Sequence, residues 1–330
     1  MEQHQDFWTA IASQPDCMRH AAELASQVMA DAHVTAWGPS ETIAIAGMGS
    51  STNAGAVFTE AMRQAGRRVI NLDASAVAHY PERCDLADHL IVISESGRSP
   101  EPIAAAKRIG LKPVVITNVP GSPVCELSDV VVPLGGFMDS GVYTIGYTTT
   151  LVALAAIAQA HGVTLADPAS LGDVAESVLQ NFGQELGDDA EALNRASFLD
   201  IVGQGVSAGS AQAAALLFRE STQMPTAAHQ TIQYLHGPME CVHPGNAVLV
   251  FGEGREDALV SQLDGAGASV FQFVGNAWAT RALGVPTSGY ATAVADIVYA
   301  QCLAAQLSAL RGIQVGKFRF SQPDTKLPQA

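Results

Sequence analysis

Three serines, Ser94, Ser96 and Ser99, are interleaved with Gly97 between an apolar run (90–93) and Pro100, which opens the alanine-rich stretch 101–109. Proline is favoured at the first position of a helix, where its missing N–H would have had no partner. The serines therefore fall where unpaired amides and the positive end of a helix dipole converge, an arrangement suited to an anion. Hydroxyls add donors and Gly97 allows close backbone approach, so a phosphate can be held without a lysine. A loop whose serines cap the helix reads equally well from this stretch alone.

The elements that position this loop alternate in kind. Residues 42–46 form a short apolar strand ahead of Gly47-Met-Gly-Ser-Ser-Thr-Asn-Ala-Gly55, which contains Ser50 and Ser51 and leads into a helix to about residue 65. Further strands are expected at 69–72, 90–93, 113–117 and 130–133, a short helix at 73–79, and a long helix over 140–160. Strands alternating with helices imply a parallel sheet covered on both faces. Ahead of it, residues 7–32 carry apolar side chains at helical spacing, interrupted at Gln14-Pro15, which reads as two helices or one kinked helix. After it, residues 162–196 turn polar and acidic and read as a helical connector. The pattern then restarts with strands at 198–202, 247–251 and 269–273. Gly203-x-Gly205 answers Gly47-x-Gly49 at an offset of 156 residues, and Phe251-Gly-Glu-Gly254 answers Ser94-Glu-Ser-Gly97 at 157. These offsets are those of an internal duplication in which the second copy lacks the serines.

The fold class expected is α/β, with two doubly wound, flavodoxin-like parallel sheets. The divisions expected are a helical lead-in (1–34), a first domain (35–165), a connector (166–196), a second domain (197–315) and a tail (316–330) over the active site. The 330 residues are 48% hydrophobic and 15% charged, with a net charge of −15. That balance argues against nucleic acid or an anionic membrane as partner. The five cysteines are scattered, with no Cys-x-x-Cys, which fits reduced thiols in a cytoplasmic protein. No His/Cys/Asp/Glu group has the spacing of a metal site. The N-terminus is acidic, unlike a signal peptide, and the apolar stretch 151–160 is too short to span a bilayer.

Several blocks taken together resemble the double sugar-isomerase (SIS) family, in particular the isomerase half of glucosamine-6-phosphate synthase. They are the Gln14-Pro15 lead-in, Gly49-Ser-Ser-Thr-Asn-Ala-Gly55, Ser94-x-Ser-Gly-x-Ser99, Thr117-Asn-Val-Pro-Gly-Ser122, Asp139-Ser-Gly-Val142 and His236-Gly-Pro238. The resemblance implies a cofactor-free enzyme whose phosphate loop comprises Ser50, Ser51, Ser94, Glu95, Ser96 and Ser99, with Val142 and Thr144 in the sugar-contacting loop. It implies that Glu220, 16 residues before His236, moves the proton, that His236 opens the ring, and that Lys326 stands near the sugar. The chemistry matches: aldose–ketose conversion moves a proton between C1 and C2, which one carboxylate above a cis-enediol can do. A neutral imidazole can open the ring. His229, His243 and Cys241 have no role in this scheme. The resemblance also implies a homodimer with an active site at the subunit interface.

Two departures bear on the substrate. The synthase has a lysine three residues before its glutamate and a second glutamate four further upstream, where this chain has Leu217 and Ala213. That favours plain isomerisation of a hexose 6-phosphate over an amino-sugar-phosphate deaminase or a fructosamine-phosphate deglycase. Glu95 replaces a glutamine, and a carboxylate beside a dianion is unfavourable unless it points away or pairs with Arg98. A singly charged sulfonate, hence a sulfo-sugar isomerase, is the corresponding alternative. A non-catalytic sugar-phosphate sensor is the reading from outside enzymes.

Overall fold

The computed structural model describes residues 4–286, 289–320, 322 and 324–328. The chain divides into two compact units, Asp16–Phe137 with Ile145–Ser170 and Arg319–Ala330, and Met1–Pro15 with Met138–Thr144 and Leu171–Phe318.

The lead-in is a single helix, α1 (Phe7–Asp31), which runs through Pro15. Proline cannot donate to the carbonyl four residues back. The side chain of Gln14 takes that place, donating to Ile11 O at 3.0 Å and to Gln301 Oε1 at 2.7 Å.

The unit that follows holds β1 (Thr42–Gly47), α2 (Ser50–Gln64), β2 (Arg68–Asp73), α3 (Ala74–Ala78), β3 (His89–Ile93), α4 (Pro100–Ile109), β4 (Val114–Thr117), β5 (Val130–Pro133) and α5 (Ile145–Ala160). Its five strands are parallel in the order β2-β1-β3-β4-β5, the flavodoxin-like arrangement. Residues 43–47 and 90–93 are buried throughout, as strands covered on both faces must be. The long helix expected over 140–160 begins only at Ile145, because Ser140 and Thr144 are held by Asp139 in a tight loop. Residues 145–158 of α5 are all buried, so the helix has no polar face.

The other unit holds α6 (Leu171–Phe182), α7 (Gly187–Asn194), β6 (Phe198–Gly203), α8 (Val206–Thr222), β7 (Thr226–Gln230), α9 (Thr231–Leu235), β8 (Asn246–Phe251), α10 (Arg255–Gly265), β9 (Ser269–Phe273), α11 (Gly275–Leu283) and α12 (Gly289–Leu310). Its sheet runs β7-β6-β8-β9, all parallel, repeating the first order without a fifth strand. β7 is a correction to the sequence reading: Thr-Ala-Ala-His-Gln has little strand propensity, and it pairs only as a half-buried edge. The stretch read as a connector differs too. Leu171, Val174, Ala175 and Val178 give α6 an apolar stripe, and this stretch belongs to the compact unit of the second sheet. α12 has a mean hydropathy of 1.4 and the length to cross a membrane, so the stretch 151–160 is not the longest apolar segment; 78% of its apolar window is buried inside the protein.

The two first strands turn into their helices in the same way. Gly49 (φ 55°, ψ −124°) precedes α2 and Gly205 (φ 63°, ψ −130°) precedes α8, a conformation that needs glycine.

Candidate functional site

In the first sheet β1 and β3 are neighbours and the strand order reverses between them, which opens a crevice beyond their carboxyl ends. Ser50 and Ser51 begin the helix after β1, and Ser94 to Ser99 form the turn after β3. Ser99, the residue preceding α4, makes no side-chain capping bond, which weakens the reading of that serine as a mere cap. The Ser94 hydroxyl is buried and has no hydrogen-bond partner among the described residues. Ser96 is 8% exposed, and its Oγ accepts from Arg98 N at 3.4 Å.

The turn is held by the chain after β4. Ser94 N donates to Ile116 O, Asn118 N to Glu95 O and Val124 N to Gly97 O. Gly97 sits at φ 65°, and a Cβ there would stand 1.7 Å from Ser122 Oγ, so both conformation and space exclude a side chain. The Glu95 carboxylate accepts from Asn118 Nδ2 at 3.1 Å, and Asn118 itself donates to Phe137 O and accepts from Gly136 N. Glu95 is thus turned to the neighbouring loop, which answers the electrostatic objection to a carboxylate here. The tail reaches the same turn: Leu327 N donates to Arg98 O at 2.8 Å and Leu327 packs on the core of this unit, which sets half-buried Lys326 beside it.

The remaining nominated residues lie in the other unit. Val142 is 2% exposed, and Thr144, fully buried, donates its hydroxyl to Asp139 Oδ1 at 2.8 Å, so the side chain of Thr144 shapes its loop from within. Glu220 is on the last turn of α8, half-buried, and no hydrogen bond or ion pair reaches its carboxylate among the described residues. Burial pushes its pKa up to about 7. Arg219 beside it is engaged elsewhere, donating to Thr226 O. His236 follows α9 and is exposed. A cavity of about 630 Å³ in this unit, between residues 4–8, the end of α12 and residues 313–317, is lined by none of the residues nominated from the sequence.

A family model described as the SIS domain matches residues 39–160. The matched stretch carries all the serines named above together with Val142 and Thr144, whereas Glu220, His236 and Lys326 lie outside it. A curated relative from Pyrobaculum aerophilum, a glutamine–fructose-6-phosphate aminotransferase (isomerizing), is 26% identical over 251 residues, covering 72% of this chain and 42% of its own length. The chain therefore spans about two fifths of the curated relatives it matches. Among solved structures, glucosamine-6-phosphate deaminase from Thermotoga maritima has a TM-score of 0.78 at 20% identity, over 96% of this chain and 98% of that one. The C-terminal domain of glucosamine-fructose-6-phosphate aminotransferase from Francisella tularensis gives 0.77 at 19%, over 94% and 98%. Tagatose-6-phosphate ketose/aldose isomerase from Escherichia coli gives 0.72 at 18%, over 96% and 97%. At these identities the likeness is one of fold, extending over both sheets.

Proposed function

We propose that this protein is an aldose–ketose isomerase of a sugar with a terminal anion, a hexose 6-phosphate. Ser50, Ser51, Ser94, Ser96 and Ser99 hold the anion, His236 opens the ring, Glu220 carries the proton between C1 and C2, and Lys326 closes on the sugar. The observation that carries this reading is Glu220: a carboxyl without a partner among the described residues, with a pKa raised to about 7, can both take and return a proton near neutrality. The unpartnered Ser94 hydroxyl supports the anion half of the reading. Plain isomerisation is preferred to deamination because Leu217 and Ala213, at the synthase's lysine and glutamate positions, are buried and apolar. The protein acts as a homodimer, and the two sheets descend from one duplicated unit.

A thermal-shift panel of hexose 6-phosphates, amino-sugar 6-phosphates and a 6-sulfonated hexose tests the reading, with each stabilising ligand followed to product. Stabilisation by a hexose 6-phosphate with conversion between aldose and ketose is the expected result, at a rate that rises with pH through about 7 as Glu220 ionises. Release of ammonia, preference for the sulfonate, or binding without conversion would each replace it.

A further inference from the structure

The seven residues 229–235, which end just before His236, are tied down by two carboxylates from elsewhere in the same unit. Asp200, in the middle of β6 and 4% exposed, receives the Tyr234 hydroxyl at 2.9 Å and stands 3.0 Å from His229 Nε2. Glu256, in the first turn of α10 and 6% exposed, receives the Thr231 hydroxyl at 2.5 Å. The His229 and Tyr234 rings lie 5.0 Å apart, so β7 and α9 are gripped by one carboxylate at two points. Bonds from neutral donors to buried carboxylates are strong and hard for water to replace. Burial and the Asp200 charge also keep the Tyr234 hydroxyl protonated, so it stays a donor.

The opposite side of the same segment is open. Ile232 is 45% exposed, and Gln233, His236, Gly237 and Pro238 are exposed too. A short helix of five residues has little stability of its own. Without the two anchors nothing intrinsic to its sequence would fix the direction in which His236 leaves it.

We propose that Asp200 with His229 and Tyr234, and Glu256 with Thr231, form a clamp that positions His236 for ring opening. This rests on the role of His236 proposed above, and it gives His229, otherwise without a function, a place in the device. None of the five is a catalytic residue: each acts through the segment that carries His236. A clamp of this kind affects ring opening and leaves proton transfer at an already open carbonyl untouched.

Tyr234→Phe and Thr231→Val each delete one oxygen. Each lowers kcat for a ring-forming ketohexose 6-phosphate by about 10- to 100-fold, the scale of a displaced catalytic group, with KM little changed. Thr231→Ser, which keeps the hydroxyl, restores the rate. Solvent proton exchange at C1 of the 5-deoxy ketohexose 6-phosphate, which has no hydroxyl to close the ring, stays at the wild-type rate in all three variants. Equal loss on both substrates, or no loss on either, would overturn the clamp. A second readout needs no turnover. The imidazole NMR signal that disappears in His236→Gln is a single sharp environment in the wild type and becomes averaged in Thr231→Val. Equal mobility of that ring in both proteins would refute the clamp. If the wild type converts no sugar, the proposed function fails, and this signal alone decides the clamp.

Discussion

The turn after β3 and the turn after β8 are built on one backbone plan and filled in opposite ways. At the offset of 157 residues, Gly97 and Arg98 meet Gly254 and Arg255, and both glycines have positive φ, 65° and 78°. Ser94 is answered by fully buried Phe251, and Ser99 by Glu256, whose carboxyl lies back over Gly252, 3.5 Å from where a Cβ would stand, and holds Thr231. The next residue, Asp257, accepts the Gly254 amide at 2.9 Å. The second turn thus lays its own carboxylates over its glycines, while the first keeps its hydroxyls and turns its one carboxylate, Glu95, onto Asn118. After β6, Ser207, the counterpart of Ser51 at an offset of 156, keeps its hydroxyl and stands beside the fully buried carboxyl of Asp296, so there too a side chain of the protein fills the turn. A helix N-terminus attracts negative charge in either case. Which side chains surround it decides whether that charge comes from the chain or from a ligand.

Ser99→Glu breaks the comparison most severely, by giving the first turn the residue of the second. Affinity for the sugar anion, measured by calorimetry, falls by about 100-fold or more, since the carboxylate removes a donor and repels the ligand. Unchanged affinity would mean that the anion is held elsewhere. Ser94→Ala removes one hydroxyl from a charged ligand, about 1.5–2 kcal/mol and hence roughly 10- to 30-fold in Kd, with little change in stability because that hydroxyl has no partner to lose among the described residues. A loss of stability without loss of affinity would instead make Ser94 a structural residue.

The smallest effect sharpens the other side of the comparison. Burial raises the pKa of Asp296 from the usual 3.8 to about 8. The folded protein therefore binds more protons than the unfolded chain between those values, and its stability falls as pH rises across that window. Glu220 contributes in the same sense up to about 7. Asp296→Asn removes part of the slope, which denaturant unfolding at pH 5 and pH 8 detects as a smaller difference than in the wild type. An equal slope in both proteins would show that Asp296 ionises freely.

The first sheet was legible in the sequence because its strands are continuous apolar runs closed by glycine turns, and buried parallel strands look like that. The Ser94–Ser99 turn could be placed at a helix N-terminus from Pro100 alone. Glu220 and His236 could not be picked out from their neighbours; the resemblance nominated them, and only the structure shows that burial sets the pKa of Glu220 apart. β7 was invisible because its residues earn their strand by pairing with β6 and not by propensity. Asp200, Tyr234 and Glu256 carried no local signal either: their bonds join residues 34 and 25 positions apart, and nothing at either end announces the partner.

Proton NMR of a ketohexose 6-phosphate with this protein in D2O tests the central claim most directly, in the wild type and in Glu220→Gln. The account predicts aldose product with deuterium at C2 from the wild type. From the variant it predicts product formation slower by about 100- to 10,000-fold, while the sugar still titrates its binding site to saturation. Undiminished deuterium uptake in Glu220→Gln would remove Glu220 from the chemistry, and no uptake with the wild type would contradict isomerisation itself.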